Sequence, residues 1–188
     1  SAGNNRLTLP TSNGSAGNIL GTDGAGNLSW VNGGRMVQDT AKTASGTSIN
    51  FTGLPSWVKR ITVMFNGVST NGTSVRMVQL GDSGGVETTG YDAYGLKVET
   101  SGGITPGGSV NGFIIRSNAG SQAMNGAMYI NLLTGNTWVS THSLNSGGES
   151  FMGSGSKTLS STLDRIRITT VNGTDAFDAG SINILYEG

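Results

Sequence analysis

The chain has no cysteine, a single histidine (His142) and only three prolines among its 188 residues. The missing thiols exclude disulfides, thiolate metal ligands and cysteine nucleophiles. Charge is sparse as well: 12% of residues are charged, with 11 basic side chains balancing 11 acidic ones. A net charge of zero removes the general attraction that nucleic acid or an anionic membrane surface would supply. No apolar run approaches the roughly 20 residues of a helical bilayer span, so neither nucleic-acid binding nor membrane insertion is expected. No window of ten or more residues sustains a helical period with caps. Aromatic residues make up only 6%.

What the chain has instead is Gly, Ser, Thr and Asn, which together fill half of it, with 32 glycines. Few prolines and no three-residue glycine period argue against a collagen-like chain. The apolar residues gather into short alternating runs, so an ordered core is expected. Ile61, Val63 and Phe65 share one face of Arg60–Phe65. Ile166 and Ile168 share a face of Asp164–Thr170, while Arg165 and Arg167 occupy the other, and Ser181–Glu187 repeats the pattern with Ile182, Ile184 and Tyr186. Further strands are expected at Ser48–Thr52, Val75–Leu80, Gly112–Ser117, Ala127–Leu133, Thr137–Leu144 and Ser156–Ser160. Asn-Gly occurs seven times, at Asn13, Asn32, Asn66, Asn71, Asn111, Asn125 and Asn172. Both residues tolerate positive φ, so each pair is expected to make a two-residue hairpin turn. Strands at this spacing predict an all-β chain, an antiparallel β-sandwich or jelly roll.

A boundary is expected across residues 33–46, giving an N-terminal segment over 1–46 and a β-sandwich over 47–188. The first segment has too little apolar mass to fold alone. Leu7, Leu9, Ile19, Leu20, Leu28, Trp30 and Val31 are expected to be buried against identical neighbouring chains. The chain opens on Ser1 and shows no signal-like segment, which reads as a portion of a longer protein.

Two stretches resemble a known family. Leu7-Thr8-Leu9-Pro10-Thr11-Ser12-Asn13-Gly14, continued by Gly24-Ala25-Gly26-Asn27-Leu28-Ser29-Trp30-Val31, looks like a shaft segment of tailed-bacteriophage fibre proteins. Phe51–Phe65, Gly135–Val139, Leu163–Thr169 and Asp178–Glu187 are similar to the β-rich domain at the tip of phage tail fibres. The resemblance implies a homotrimer on the virion, joined to other tail proteins through a more N-terminal part. It further implies a last domain that binds a receptor on the host surface. The stretch from Thr88 to Ala123 matches nothing in the family. A capsid-attached fibre or decoration protein uses the same β-rich trimers and stays open as an alternative. A fibre-borne glycan hydrolase is the third reading, disfavoured because neither a solenoid period nor an acidic pair is evident.

Several motifs carry possible chemistry. Gly81-Asp82-Ser83-Gly84-Gly85 resembles a serine-nucleophile motif. The only histidine, however, follows the serine, and no helical pattern follows Gly85, so a polar turn with Asp82 accepting local backbone hydrogen bonds is preferred. Ser154-Gly155-Ser156-Lys157 fits S-x-x-K without a partner motif. No carboxylate spacing matches a calcium loop, although carboxylates gathered by symmetry would escape such a reading. The sequons at Asn71 and Asn172 read as hairpin turns. His142 alternates with Trp138 and Ser140; a structural role is preferred over an anion or pH site on a trimer axis. Met124 and Met128 read as core filler. No catalytic residue, metal or cofactor is therefore assigned.

One segment stands out as a binding loop. Glu87–Gly95 sets Tyr91 and Tyr94 around Asp92, offering rings for sugar faces and a carboxylate for sugar hydroxyls. Tyr91, Asp92 and Tyr94 are the candidate receptor-binding residues, with a surface polysaccharide as ligand and a surface protein as alternative. The Ser101–Ser109, Asn118–Asn125 and Asn145–Ser154 segments are the other expected loops.

Overall fold

The computed structural model describes residues 7–117 and 122–188. Part of the expected Asn118–Asn125 loop thus lies outside the described residues. Among those described there is no helix; there are strands β1 (Asn18–Thr22), β2 (Leu28–Asn32), β3 (Met36–Gln38), β4 (Lys42–Thr43), β5 (Ser48–Thr52), β6 (Arg60–Thr70), β7 (Arg76–Asp82) and β8 (Gly85–Val86). They are followed by β9 (Tyr91–Val98), β10 (Ile104–Ser109), β11 (Phe113–Ile115), β12 (Met124–Thr134), β13 (Thr137–Ser146), β14 (Glu149–Thr158), β15 (Leu163–Thr170) and β16 (Phe177–Glu187). The chain divides into two compact units, the first reaching to Met36 and taking in Gly188, the second running from Val37 to Glu187. Residues 37–46, grouped with the N-terminal segment on sequence, belong to the second unit, where β4 pairs with β16.

The first unit is a hairpin. β1 and β2 pair antiparallel from Asn18↔Asn32 to Thr22↔Leu28. Asp23 shapes the turn by accepting from the Ala25 and Asn27 amides at 2.8 and 3.1 Å. The Trp30 indole donates to the Ser12 carbonyl at 2.7 Å. Its ring lies so close to Gly14 that a Cβ there would come within 2.6 Å. Leu7, Leu9, Ile19, Leu20, Trp30 and Val31 nevertheless stay exposed, Leu9 by 68%.

The second unit is built from two antiparallel sheets around one core. The larger sheet runs β10-β9-β14-β13-β12-β6-β16-β3, and the smaller runs β11-β7-β15-β5 with β8 beside β7. Phe51, Ile61, Val63, Val78, Leu80, Phe113, Ile115, Met128, Ile130, Ile166, Ile168, Ile182 and Ile184 from both sheets are buried in a single cluster. Each such side chain is worth about 1.5–3 kcal/mol relative to exposure. The alternation seen in the sequence is therefore the inner face of each strand.

The Asn-Gly pairs behave differently from expectation. Every described residue with positive φ is glycine, so no Asn adopts the left-handed conformation that a type I′ turn requires at its first position. Asn66-Gly67 lies inside β6, where both neighbouring ladders skip a residue. Gly67 has φ +66° there, and its amide donates to Asn125 Oδ1 at 2.8 Å. This bulge shifts the alternation by one, so Val68 is buried after Ile61, Val63 and Phe65. The two-residue turn with both φ positive is Gly147-Gly148, at 59° and 84°, joining β13 to β14.

The bulge generates a prediction. Gly180 of β16 has φ +89°, and a Cβ there would come within 2.4 Å of the Gly67 carbonyl. Gly180→Ala should therefore destabilise the fold by roughly 2–3 kcal/mol and lower the melting temperature by about 5–10 °C. An unchanged melt in differential scanning calorimetry would refute that tight backbone approach.

Candidate functional site

The segment expected to be a loop is instead the start of β9, and strand alternation splits its three candidate residues between two faces. Tyr91 points inward and is 3% exposed, whereas Asp92 and Tyr94 lie on the outer face. The Tyr91 hydroxyl accepts from the Leu80 amide at 2.6 Å and lies 3.1 Å from the Glu87 carbonyl, to which it donates. It occupies the ladder position of β7 between the stretches paired with β8 and β11. Phe113 meets the ring edge-on at 5.2 Å. Burial above all pushes the Tyr91 phenol upward from its ordinary range. Tyr91 is thus a core residue, not the exposed loop ring expected from sequence.

Lys157 closes over the same ring at 5.2 Å while donating to the Thr89 carbonyl at 2.9 Å and pairing with Glu87. Burial opposes ionisation of Glu87, but the hydrogen bonds from Lys157 and Ser160 outweigh it and hold its carboxyl below the usual range. Residues 87–90 are consequently tied to β14.

Asp92 and Tyr94 line a cleft of about 480 Å³ with Val110, Asn111, Ile114 and Val171. Tyr94 is 55% exposed, and Val110 and Val171 are exposed as well. The Tyr94 ring lies along its cross-strand partner Gly108, where a Cβ would approach within 3.2 Å of Cδ2. Glycine in β10 therefore lets the ring lean over the strand and leaves its other side to solvent. A second cleft of about 420 Å³ shares Ser109, Asn111 and Val171 with the first. Its wall carries Arg167, Gln79 and several Ser and Thr residues. Of the three candidate residues, composition singled out Asp92 and Tyr94, which line this cleft, whereas no motif marks Val110, Asn111, Gln79 and Arg167, which line the two clefts beside them.

The other expected loops are mostly strand. Ser101–Ser109 contributes β10, and Asn145–Ser154 forms the facing ends of β13 and β14. Gly81–Gly85 is the β7–β8 turn: Gly84 donates to Asp82 Oδ1 at 2.8 Å. The Ser160 hydroxyl first, then that amide, hold the Asp82 carboxyl low. Ser83 is exposed on this turn, where two strands meet rather than a strand and a helix. Ser154 is exposed and Lys157 buried, since residues three apart on a strand face opposite ways. Met124 and Met128 are fully buried. Among the described residues, no group of three His, Asp or Glu side chains is placed to hold a metal.

His142 is 4% exposed, so it lies inside the chain's own fold. Neither ring nitrogen has a hydrogen-bond partner among the described residues, and burial pushes its pKa down to about 4.

Comparison with protein-family models, with curated proteins and with solved structures returned no match to this chain.

Two predictions follow from these two buried rings. Tyr91→Phe leaves the Leu80 amide without its acceptor and should cost about 1–3 kcal/mol in chemical denaturation. For His142, the unfolded chain takes up a proton near pH 6.5 while the folded chain waits until about pH 4. Stability is therefore full above pH 6.5 and falls by about 3 kcal/mol on acidification toward pH 4. His142→Gln should flatten urea midpoints across that interval; equal acid sensitivity in both proteins would refute the assignment.

Proposed function

We propose that this chain is the distal, receptor-binding part of a homotrimeric phage tail fibre, with a sandwich or jelly-roll tip that holds a bacterial surface glycan in the groove beside Tyr94. One observation carries the binding reading. An exposed ring, a carboxylate and an amide converge on a concave surface in a chain with few aromatic residues. Sugar rings present apolar C–H faces and a rim of hydroxyls. Tyr94 with Val110 and Val171 suits the faces, while Asp92 and Asn111 suit the hydroxyls.

The exposed apolar residues of the first unit support the trimer. Leu7, Leu9, Ile19, Leu20, Trp30 and Val31 line one short hairpin and its lead-in. Ile19 pairs with Val31 on one face of the hairpin and Leu20 with Trp30 on the other; exposed apolar residues of this kind mark an interaction site, and identical copies supply an equally apolar partner. A single shallow site of this size binds in the millimolar range, and three copies on one fibre raise avidity without new contacts.

The test applies labelled full chain to arrayed bacterial surface polysaccharides. We expect binding to at least one, weakened tenfold or more by Tyr94→Ala or Asp92→Ala and unaffected by Tyr91→Phe. Unchanged binding by both alanine variants would remove this groove from the reading. Binding to bacterial surface proteins with none to polysaccharides would transfer the receptor to the protein class. A stable monomer at micromolar concentration in sedimentation equilibrium would overturn the trimer.

A further inference from the structure

Arg165 and Arg167 stand two residues apart on β15, yet their surroundings differ. Arg165 Nε donates to Asp164 Oδ1 at 2.6 Å and its Nη2 to Oδ2 at 3.0 Å, so its charge is neutralised locally. Arg167 Nε and Nη2 both donate to Gln79 Oε1, at 2.8 and 2.6 Å. Gln79 is 1% exposed, and its own Nε2 donates to the Asn111 carbonyl at 2.7 Å. Gly112 makes room for this amide, since a Cβ there would come within 3.0 Å of Gln79 Cγ. A buried neutral amide thus orients the guanidinium without cancelling its charge. No carboxylate is paired with Arg167 among the described residues, and it is the one charged side chain on the wall of the second cleft.

Guanidinium has five N–H donors, and Gln79 takes one from Nε and one from Nη2. The fork formed by Nη1 and the second Nη2 hydrogen remains, which is the edge that grips a carboxylate or phosphate with two parallel bonds. Around it the cleft offers Thr47, Ser48, Thr88 and Ser109, suited to hydroxyls. Resting on the glycan reading of the adjoining groove, we infer that the second cleft binds an acidic saccharide, with its carboxylate or phosphate group on Arg167 and its neutral ring extending toward Tyr94. Asp92, the charged residue of the first cleft, repels a second acidic group there and so sets the polarity of the bound chain.

The test titrates the full chain with glucuronate, glucose 6-phosphate and methyl glucoside, following the Arg167 Nε–H resonance by NMR. We expect saturable millimolar shifts with glucuronate or glucose 6-phosphate and none with methyl glucoside at the same concentration. The acid that saturates first identifies carboxylate or phosphate as the preferred group. Equal shifts with all three probes, or none with either acid up to about 100 mM, would overturn the inference without any variant. As a second readout on the binding acid, Arg167→Lys keeps the charge but loses the fork and should weaken binding roughly tenfold, whereas Arg167→Met should abolish it. A lysine variant that binds as tightly as the parent would overturn the bidentate assignment. The two readings fail separately. Acid binding at Arg167 with Tyr94 and Asp92 variants indifferent to polysaccharide retains this site and removes the groove. Loss of polysaccharide binding in those variants with a silent Arg167 does the reverse.

Discussion

The hydroxyl of Tyr91 joins the two sheets of the second unit, and the inward placement of its ring decides which residues of β9 face the groove. Tyr91 begins β9 in the larger sheet, whereas Leu80, which it engages, belongs to β7 in the smaller. Side chains on a strand alternate strictly, so fixing one fixes the direction of all. With Tyr91 inward, Ala93 and Gly95 follow it into the interior, and Asp92 and Tyr94 must face out. A slip of one residue would bury the carboxylate and expose the phenyl ring, a far costlier arrangement. Phe113 against the ring edge and Lys157 over its face hold the same register from two other strands.

The core was legible wherever one face of a strand is apolar. Arg60–Phe65, Ser48–Thr52, Asp164–Thr170 and Ser181–Glu187 all lie within strands, because their alternation is the burial pattern itself. Glycine-rich strands were illegible for a physical reason. Gly107 and Gly108 of β10 read as a loop, yet a Cβ at the first would come within 2.8 Å of Arg116 Nε, and at the second within 3.2 Å of Tyr94. Gly153 of β14 likewise leaves space for His142, whose Cε1 would be 2.5 Å from a Cβ there. In these strands glycine serves a neighbour's side chain rather than a turn, and that neighbour is distant in sequence. Asn66-Gly67 misleads in the opposite sense: its positive φ is used for a bulge within a strand.

The site was half legible for a related reason. Asp92 and Tyr94 are unusual in composition, so they could be picked out without knowing what surrounds them. Arg165 and Arg167 look alike in sequence, and only the fold distinguishes them. The neighbouring Asp164 folds onto Arg165, while Arg167 reaches Gln79 on another strand. That a cation lacks an acid is a property of three-dimensional surroundings, and no spacing rule encodes it. Whether a tyrosine turns in or out, by contrast, is decided by strand phase, which follows once Tyr91 is placed.

The two clefts share the turn at 109–111, and this constrains how their specificity can vary. The Asn111 carbonyl is committed to Gln79, and through it to Arg167. The opposite wall at 170–173 is equally fixed: Asn172 Oδ1 accepts from the Thr174 and Asp175 amides, both at 3.1 Å, and the Val171 amide donates to Val75. Both walls therefore have settled backbones, which lowers the ordering cost of binding. The side chains of Val110, Asn111 and Val171 carry no such structural duty in the core, being exposed. Substitutions there can reshape the groove while the backbone that holds Arg167 stays in place. On the proposed reading, recognition would divide into a fixed ionic anchor at Arg167, set by buried backbone and amide contacts, and a variable rim of Val110, Asn111 and Val171 that tunes which saccharide the anchor admits.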